Sequence, residues 1–327
     1  MKSLRFVHTV PMVGVLLLLA GCGLQQVQPK SGSSTPGATP TATPAPLPTV
    51  VVTGGNEAAI VNGQGIPMSL FRDFMNYGVR QAQGTTPTST IYQQNMQQLI
   101  QNELVLQYAK SHGMTASEKA INGQINQAIR GGGGPAAFRA SLKQRGLTLA
   151  DFKYVARVNL LLPKVENAVT PLAKSGPVAT AEHILISPGA NKCSKVALTT
   201  ATAKKLAQKL LRKVEHGVSF AKLAKKCSAD PGSAPKGGVL SNSTNPSSRL
   251  LYPGSFVLPF DTAVFTGPVG TPQLVHSQYG YHVVLVLSRH TAPYSSSVAK
   301  TAQQFYFSLW LQAQQKKASI QKLAKIK

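Results

Sequence analysis

The chain has 327 residues, of which 43% are hydrophobic, and it carries 34 Lys and Arg against 10 Asp and Glu. This length allows two domains with tails, and the apolar share is sufficient for a buried core. The net charge of +24 favours anionic partners such as lipid headgroups or a wall polymer, and we find no nucleic-acid-binding motif that would favour nucleic acid.

The N-terminus has the pattern of an export signal. Lys2 and Arg5 precede an apolar run over residues 10–20, which is too short for a comfortable membrane-spanning helix. The run ends in LAGC, which resembles the lipobox of bacterial lipoproteins. The resemblance implies cleavage before Cys22 and lipid on that cysteine. We therefore predict a lipoprotein signal peptide over residues 1–21 and a lipid-anchored protein on the extracytoplasmic face of the bacterial cell membrane; an ordinary signal peptide is the alternative.

The segment after the signal is dominated by Pro, Thr, Ser, Gly and Ala. Such a composition cannot bury enough apolar surface to offset the entropy lost on ordering. We predict that residues 22–55, beginning with the lipidated cysteine, form a disordered tether, and that folded structure begins near Glu57.

Residues 56–176 show helical periodicity after a short strand and a turn. Ser69 is expected to cap the first helix and Thr148 the last. The predicted helices cover residues 70–80, 91–111, 116–130, 135–145, and 149 to 163 or beyond. The segments AIVNGQGIPMSLF, QQLIQNELVLQYAKSHGMT and SLKQRGLTLADF resemble the helical N-terminal region of SurA-type chaperones and PrsA-like foldase lipoproteins. This resemblance implies a helical chaperone domain.

Two apolar runs in the second half of the chain each carry a histidine. AEHILI contains His183, and GYHVVLVL contains His282. Runs of this length and composition predict buried strands, and the two rings could meet if the strands are neighbours. Between the runs lie SADPGSAPKGG, with Asp230, and GSFVLPFD, with Phe256 and Phe260.

In this order, the motifs resemble those of parvulin-type peptidyl-prolyl cis-trans isomerases over residues 177–291. The resemblance implies a small, mainly antiparallel four-stranded sheet flanked by helices. The expected fold class is therefore α+β, with this parvulin domain beside a chaperone domain built from N-terminal helices and a C-terminal helix. We predict one long helix over residues 297–327, and the resemblance implies that the segment 292–327 packs on the N-terminal domain. A basic helix on the membrane surface is the rival interpretation.

The same resemblance assigns four candidate catalytic residues. His183 and His282 match the paired histidines whose rings hydrogen-bond at the centre of the domain. Asp230 matches the acidic or cysteine position beside the substrate amide, and Ser277 matches the usual threonine that bonds a histidine. These residues fit no usual metal-ligand spacing, so we expect neither metal nor cofactor. Purely structural histidines, and Asp230 as a turn residue before Pro-Gly, remain open.

Three apolar residues are the candidates for a proline-binding slot. Phe256 matches the usual methionine and Phe260 the aromatic residue of that slot, and Leu240 is expected to complete it. The family's GGDLG reads GGVLS here, and residues 241–253 look like an insertion, which suggests a changed substrate mouth.

Rotation about an X-Pro bond has a barrier of about 18–20 kcal/mol, and no covalent bond need break. An enzyme accelerates it by binding the twisted amide more tightly than either planar form. The resemblance therefore implies a peptidyl-prolyl isomerase and foldase for unfolded or partly folded exported polypeptides. A catalytically inactive holding chaperone of the same fold is the alternative. An exported location also permits a disulfide between Cys193 and Cys227, with two free thiols as the alternative.

Overall fold

A computed structural model describes residues 51–242, 245 and 247–326. The expected signal peptide, Cys22 and most of the expected tether lie outside the described residues. The described chain divides into two compact units. We call residues 169–309 the central unit, and residues 51–168 together with 310–326 the terminal unit.

The elements follow one another in an order that mixes helices and short strands, which confirms the α+β class. The strands are β1 (Val52–Thr53), β2 (Glu57–Val61), β3 (Gln64–Pro67), β4 (Ser175–Ile186), β5 (Gln273–Ser277), β6 (Gly280–Pro293), β7 (Ile320–Lys322) and β8 (Lys325–Ile326). The helices are α1 (Met68–Ala82), α2 (Thr88–Ser111), α3 (Glu118–Gly131), α4 (Pro135–Arg145), α5 (Leu149–Val169), α6 (Thr200–Glu215), α7 (Phe220–Cys227), α8 (Leu258–Thr266) and α9 (Ser296–Lys317). No helix within the described ranges combines the length and apolarity needed to cross a bilayer.

The terminal unit begins with a hairpin. Strands β2 and β3 pair through a two-residue turn, Asn62-Gly63, in which both residues have positive φ (50° and 80°). Asn-Gly favours this kind of turn because both residues tolerate the left-handed region. Helix α1 then begins directly after Pro67, so the predicted cap at Ser69 is wrong. The Thr148 cap is observed, because its hydroxyl accepts the Asp151 N–H at 3.1 Å.

The prediction of one helix over residues 297–327 is wrong. Helix α9 ends at Lys317, and strand β7 then adds to the free edge of β2. Asn62 fixes the junction: its N–H donates to the Ser319 carbonyl at 2.8 Å, and its side chain accepts the Ser319 N–H at 2.9 Å. The hydrogen-bond partners on the open edge of a sheet thus outweigh the local helix preference of this segment, which is rich in Lys and Ala. Strand β8 pairs with Val52–Thr53, so two residues near the end of the expected tether form a strand.

The central unit is built on a three-stranded antiparallel sheet in the order β4-β6-β5. The expected fourth strand is reduced, in the described residues, to two isolated bridges on the outer edge of β4. These bridges join Val239 to Glu182 and Leu251 to Ala179. The residues between them are rich in Ser, Asn and Pro, which do not sustain a ladder.

Side chains of the sheet alternate between two cores. Ile184, Ile186 and Val283 pack against α6 and α7, whereas Val284 and Val286 pack against α8 and the start of α9. The two faces follow from the period of two along a strand. Cys193 and Cys227 form a disulfide with a Cα–Cα distance of 5.1 Å, so the alternative of two free thiols is wrong.

Candidate active site

The sheet register brings the two strand histidines together. His183 on β4 lies opposite Val284, and His282 on β6 lies opposite Leu185. The two histidines are therefore diagonal neighbours on one face of an antiparallel pair, within side-chain reach of each other. Their rings are nearly parallel, with an interplanar angle of 18° and centroids 5.5 Å apart.

A continuous chain of hydrogen bonds links all four candidate catalytic residues. Ser277 Oγ lies 2.7 Å from His282 Nε2, and His282 Nδ1 lies 3.3 Å from His183 Nδ1. His183 Nε2 then lies 2.8 Å from Asp230 Oδ2. All four side chains are buried. The structure therefore brings together every residue that the sequence assigned to the chemistry.

The acceptor-only carboxylate of Asp230 fixes the direction of this chain. His183 Nε2 must donate to Asp230, so in a neutral His183 the other nitrogen accepts from the Nδ1–H of His282. His282 Nε2 is then left to accept the Ser277 hydroxyl, whose oxygen in turn accepts the Tyr279 N–H at 3.1 Å. The four groups thus act as one unit.

The charges of the two ends are set by their surroundings. Burial raises the pKa of the Asp230 carboxyl, but the hydrogen bonds from His183 and Ser233, the charge of His183 and the Gly232 N–H together bring that pKa below its usual range. Burial lowers the pKa of His282 to about 3, with a smaller contribution from the charge of His183. Asp230 is therefore ionised and His282 neutral near pH 7.

An aromatic floor lies against the paired rings. Phe260 on α8 meets His183 edge-on at a centroid distance of 5.4 Å and His282 at 5.2 Å. Phe256 lies 5.0 Å from Phe260 and is only half-buried. Leu240 is buried in the same apolar cluster as Phe260. The three residues expected to form a proline slot therefore share one cluster, with Phe256 as its accessible member.

The Gly237-Gly238 pair lets the Asp230 loop approach strand β4. The His183 N–H donates to the Gly238 carbonyl at 2.9 Å. A Cβ on Gly238 would lie 2.6 Å from the His183 carbonyl oxygen, and its φ is +91°. Glycine is required here both by the close contact and by the left-handed backbone. The site therefore depends on this turn to hold His183 in place.

Two family models match the chain. One, described as a PPIC-type PPIase domain, matches residues 169–290, and the other, a SurA-like N-terminal domain, matches residues 48–166. Foldase protein PrsA from Staphylococcus aureus (strain Newman) is 30% identical over 175 residues, which cover 51% of this chain and 52% of that protein. The chain contains a PPIC-type PPIase domain and a SurA-like N-terminal domain, and it is similar to PrsA foldases.

Solved structures of two PrsA proteins are similar to this chain at a lower level of identity. The crystal structure of PrsA from Bacillus anthracis has 23% identity and a TM-score of 0.39, covering 68% of this chain and 96% of that chain. The crystal structure of PrsA from Bacillus subtilis has 19% identity and a TM-score of 0.26, covering 80% and 92% respectively. The chain spans about half the length of the curated relatives it matches.

Sequence reasoning missed one buried member of the site. Ser233 is 3% exposed, and its Oγ lies 2.9 Å from His183 Nε2 while its hydroxyl donates to Asp230 Oδ2. The Ser233 and Gly232 N–H groups also donate to the Asp230 carboxylate, at 3.2 and 3.1 Å. The turn motif DPGS contained the signal, because Asp before a tight turn accepts such backbone bonds.

A second missed residue lies next to the aromatic floor. Asp261 is fully buried, and its Oδ2 accepts the Phe256 N–H at 3.1 Å, while Oδ1 has no hydrogen-bond partner among the described residues. Burial raises the pKa of this carboxyl well above its usual value, although the Phe256 and Gly254 N–H groups oppose the rise. Asp261 positions Phe256. Within the described residues, no three His, Cys, Asp or Glu side chains gather as a metal site would require.

Proposed function

We propose that this protein is a PrsA-like foldase and a peptidyl-prolyl cis-trans isomerase that acts on unfolded or partly folded exported polypeptides. The observation that supports the proposal is the single bonded unit of Ser277, His282, His183 and Asp230, placed against the ring of Phe260. An apolar surface for a proline ring beside fixed charges is what catalysis of amide rotation requires.

The proposed mechanism uses the fixed negative charge of Asp230. A planar amide carries partial negative charge on its carbonyl oxygen, and rotation out of the plane returns electron density to the nitrogen. A carboxylate near that oxygen repels the planar form more than the twisted form, so it lowers the barrier. The paired histidines hold the carboxylate and exclude water, and they form no bond to the substrate. Phe256 and Phe260 contact the proline ring of the substrate and hold it in place.

The proposal is tested by following cis-trans isomerisation of an X-Pro peptide with the full chain. Asp230→Ala and Phe260→Ala are expected to lower the rate at least ten-fold. Lys222→Ala, an exposed change on α7, serves as the control. A wild-type protein that prevents aggregation of an unfolded client but does not accelerate isomerisation would instead support the holding-chaperone alternative.

We further propose an extracytoplasmic location with a lipid anchor on Cys22. The LAGC motif supports the anchor, and the Cys193–Cys227 disulfide supports an oxidising compartment. Mass measurement of the protein from a bacterial membrane fraction tests the anchor, since lipidation adds acyl mass to a peptide that begins at Cys22. Unmodified Cys22 would overturn it.

An anionic partner is the remaining part of the proposal. Helices α6 and α7 present eight exposed cations and a single acid, Glu215. These cations are Lys204, Lys205, Lys209, Arg212, Lys213, Lys222, Lys225 and Lys226. Such a concentration of one sign attracts anionic lipid headgroups or a wall polymer, with an affinity that salt weakens. Binding to anionic vesicles and to an isolated wall polymer, each at two salt concentrations, separates the two sources.

A further inference from the structure

The terminal unit contains an apolar groove whose role is not explained by the isomerase site. It has a volume of about 610 Å³ and lies where α3, α4 and the start of α5 meet. Its apolar lining consists of Ile125, Ile129, Pro135, Phe138, Leu142, Leu147 and Leu149. This volume falls within the range of roughly 300–1,000 Å³ that is typical of ligand sites.

The groove keeps apolar surface in contact with solvent. Leu149, at the first position of α5, is 48% exposed, and Pro135, at the first position of α4, is also exposed. Phe138 and Leu142 form the floor between them. Exposed apolar surface that is concave and continuous is a feature of binding sites rather than of ordinary protein surface.

The only charged residues that line this groove, in the described chain, are both cations. Arg139 and Lys143 lie one helical turn apart on α4, a helix without any Asp or Glu. The helix dipole alone can explain Lys143, because this cation lies in the last turn of α4, where the dipole is negative. It does not explain Arg139, which lies a full turn earlier. The rim of the groove is therefore positively charged and attracts negatively charged groups.

A third cation lies against the wall of the groove. The guanidinium of Arg80 contacts Gly146, which is one of the lining residues. In the part of the chain that the structure describes, Arg80 Nε and Nη1 are buried and have no hydrogen-bond partner. Arg80 also lies close enough to Asp73 to lower the pKa of that carboxyl, and it adds positive charge behind the wall of the groove.

We propose that this groove binds an unfolded client segment in which apolar side chains are flanked by carboxylates. The proposal rests on the proposed function, since it assumes that exported polypeptides are the partners. Charge disfavours the chain's own segments as occupants, because residues 23–55 contain no Asp or Glu. A second copy is disfavoured by repulsion between two molecules that each carry +24.

The test uses the full chain and two labelled, proline-free peptides with the same apolar centre. One has Asp at both flanks and the other has Lys, and binding is measured by fluorescence anisotropy. The wild type should bind the Asp-flanked peptide at least ten-fold more tightly. Arg139→Glu combined with Lys143→Glu should reverse this preference, whereas Leu149→Ser should weaken binding of both peptides.

The matched control is Lys119→Glu combined with Arg130→Glu, two exposed cations on α3 that do not line the groove. This control makes the same change in net charge and should keep the wild-type preference. An equal loss in the control and in the groove variant would overturn the proposal, because only net charge would then matter. Equal binding of the two peptides by the wild type would also overturn it.

Two further measurements separate this proposal from its alternatives. The isomerisation rate of each variant on a short X-Pro peptide should equal that of the wild type. Absence of isomerisation in all proteins, with the peptide preference intact, would contradict the proposed enzyme and leave the groove standing. Binding to phosphatidylglycerol vesicles that the groove variant loses, without any change in peptide binding, would identify a membrane contact and overturn the groove as a client site.

Discussion

His183 and His282 share one hydrogen bond, with their Nδ1 atoms 3.3 Å apart, and each uses its other ring nitrogen to bond a different oxygen ligand, Asp230 or Ser277. Each ring is thereby bonded at both nitrogens. This series of hydrogen bonds runs from the neutral Ser277 hydroxyl on β5 to the charged Asp230 carboxylate. The two histidine rings therefore fix the orientation of Asp230 relative to the β5–β6 hairpin. The protonation state of His282, which lies between Ser277 and His183, can be measured.

The first prediction concerns the protonation of His282, whose pKa burial lowers to about 3. The native state therefore does not take up the proton that the unfolded state binds near its usual pKa of about 6.5. Stability is present above pH 6.5 and is lost as the pH falls towards 3, by an amount of the order of 4 kcal/mol. Nitrogen NMR of the ring should show a neutral imidazole down to about pH 4.

The corresponding variant is His282→Gln, which removes the titrating group. Its free energy of unfolding should depend less on pH between 6.5 and 4 than that of the wild type. Ring protonation of His282 at pH 6, or an unchanged slope in the variant, would contradict this prediction.

The second prediction concerns Ser233, which bonds both His183 and Asp230. Ser233→Ala removes a donor that holds the pKa of Asp230 down, so that pKa should rise towards its usual value. The acid limb of the isomerisation rate should move to higher pH, and stability should fall by about 1–3 kcal/mol. The measurements are a rate–pH profile and urea unfolding.

The matched control is Ser194→Ala, which removes a half-buried hydroxyl that, among the described residues, bonds to Val196 in its own loop. It should change neither quantity. Loss of stability in Ser233→Ala without any movement of the acid limb would show that Ser233 has only a structural role.

Local sequence signals were sufficient for most of the fold. The apolar runs around His183 and His282 predicted strands because each run buries side chains on both faces of the sheet. The helical periodicity predicted α2 and α4 to within three residues. The pairing of the two rings, which lie 99 residues apart, came instead from the family resemblance. The strands and helices depend on patterns within about twenty residues, which a single sequence contains.

Features that depend on distant partners were not predictable. Strand β7 exists because Ser319 meets Asn62, which is 257 residues earlier in the chain. Ser233 and Asp261 were missed for a related reason: serine in a turn and aspartate in a first helical turn are common without any role in a site. Only the position of His183 gives Ser233 a second partner, and only the loop at Phe256 gives Asp261 its own.

The third prediction concerns a pair of carboxyl groups in the terminal unit. Burial raises the pKa of Asp73 to about 6, and the charge and hydrogen bond of Asp151 add to the rise, while Arg72 and Arg80 oppose it. The native state therefore holds a proton that the unfolded state has released. This contribution is fully present below about pH 4 and is lost as the pH rises through 6.

The only tryptophan of the chain, Trp310, belongs to the terminal unit, so its fluorescence reports unfolding of that unit. Stability followed in this way should increase by no more than about 1 kcal/mol as the pH falls from 7 to 5, because partial exposure of Asp73 screens the effect. Asp73→Asn should remove the increase. A wild-type unit that loses stability over this range would contradict the prediction.

The fourth prediction compares two glycine-to-alanine substitutions with opposite expected signs. Gly238→Ala places a methyl group against the His183 carbonyl in a left-handed backbone, so it should destabilise the central unit by about 1–3 kcal/mol and lower the isomerisation rate. Gly123→Ala lies inside helix α3, where no described atom beyond its chain neighbours and the backbone of its own helix comes within 4 Å of the added methyl group. It should stabilise the terminal unit by about 0.4–1 kcal/mol, because alanine loses less backbone entropy on folding.

The sign of this difference separates a steric requirement from a general effect of glycine replacement. Both variants add one methyl group, and only Gly238 combines positive φ with a backbone oxygen at 2.6 Å. Thermal unfolding should therefore show a lower midpoint for Gly238→Ala and a higher one for Gly123→Ala. A Gly238→Ala protein with the stability and rate of the wild type would mean that the Asp230 loop does not need its close approach to β4. The orientation of His183 would then have to come from its side-chain bonds to Asp230 and Ser233 alone.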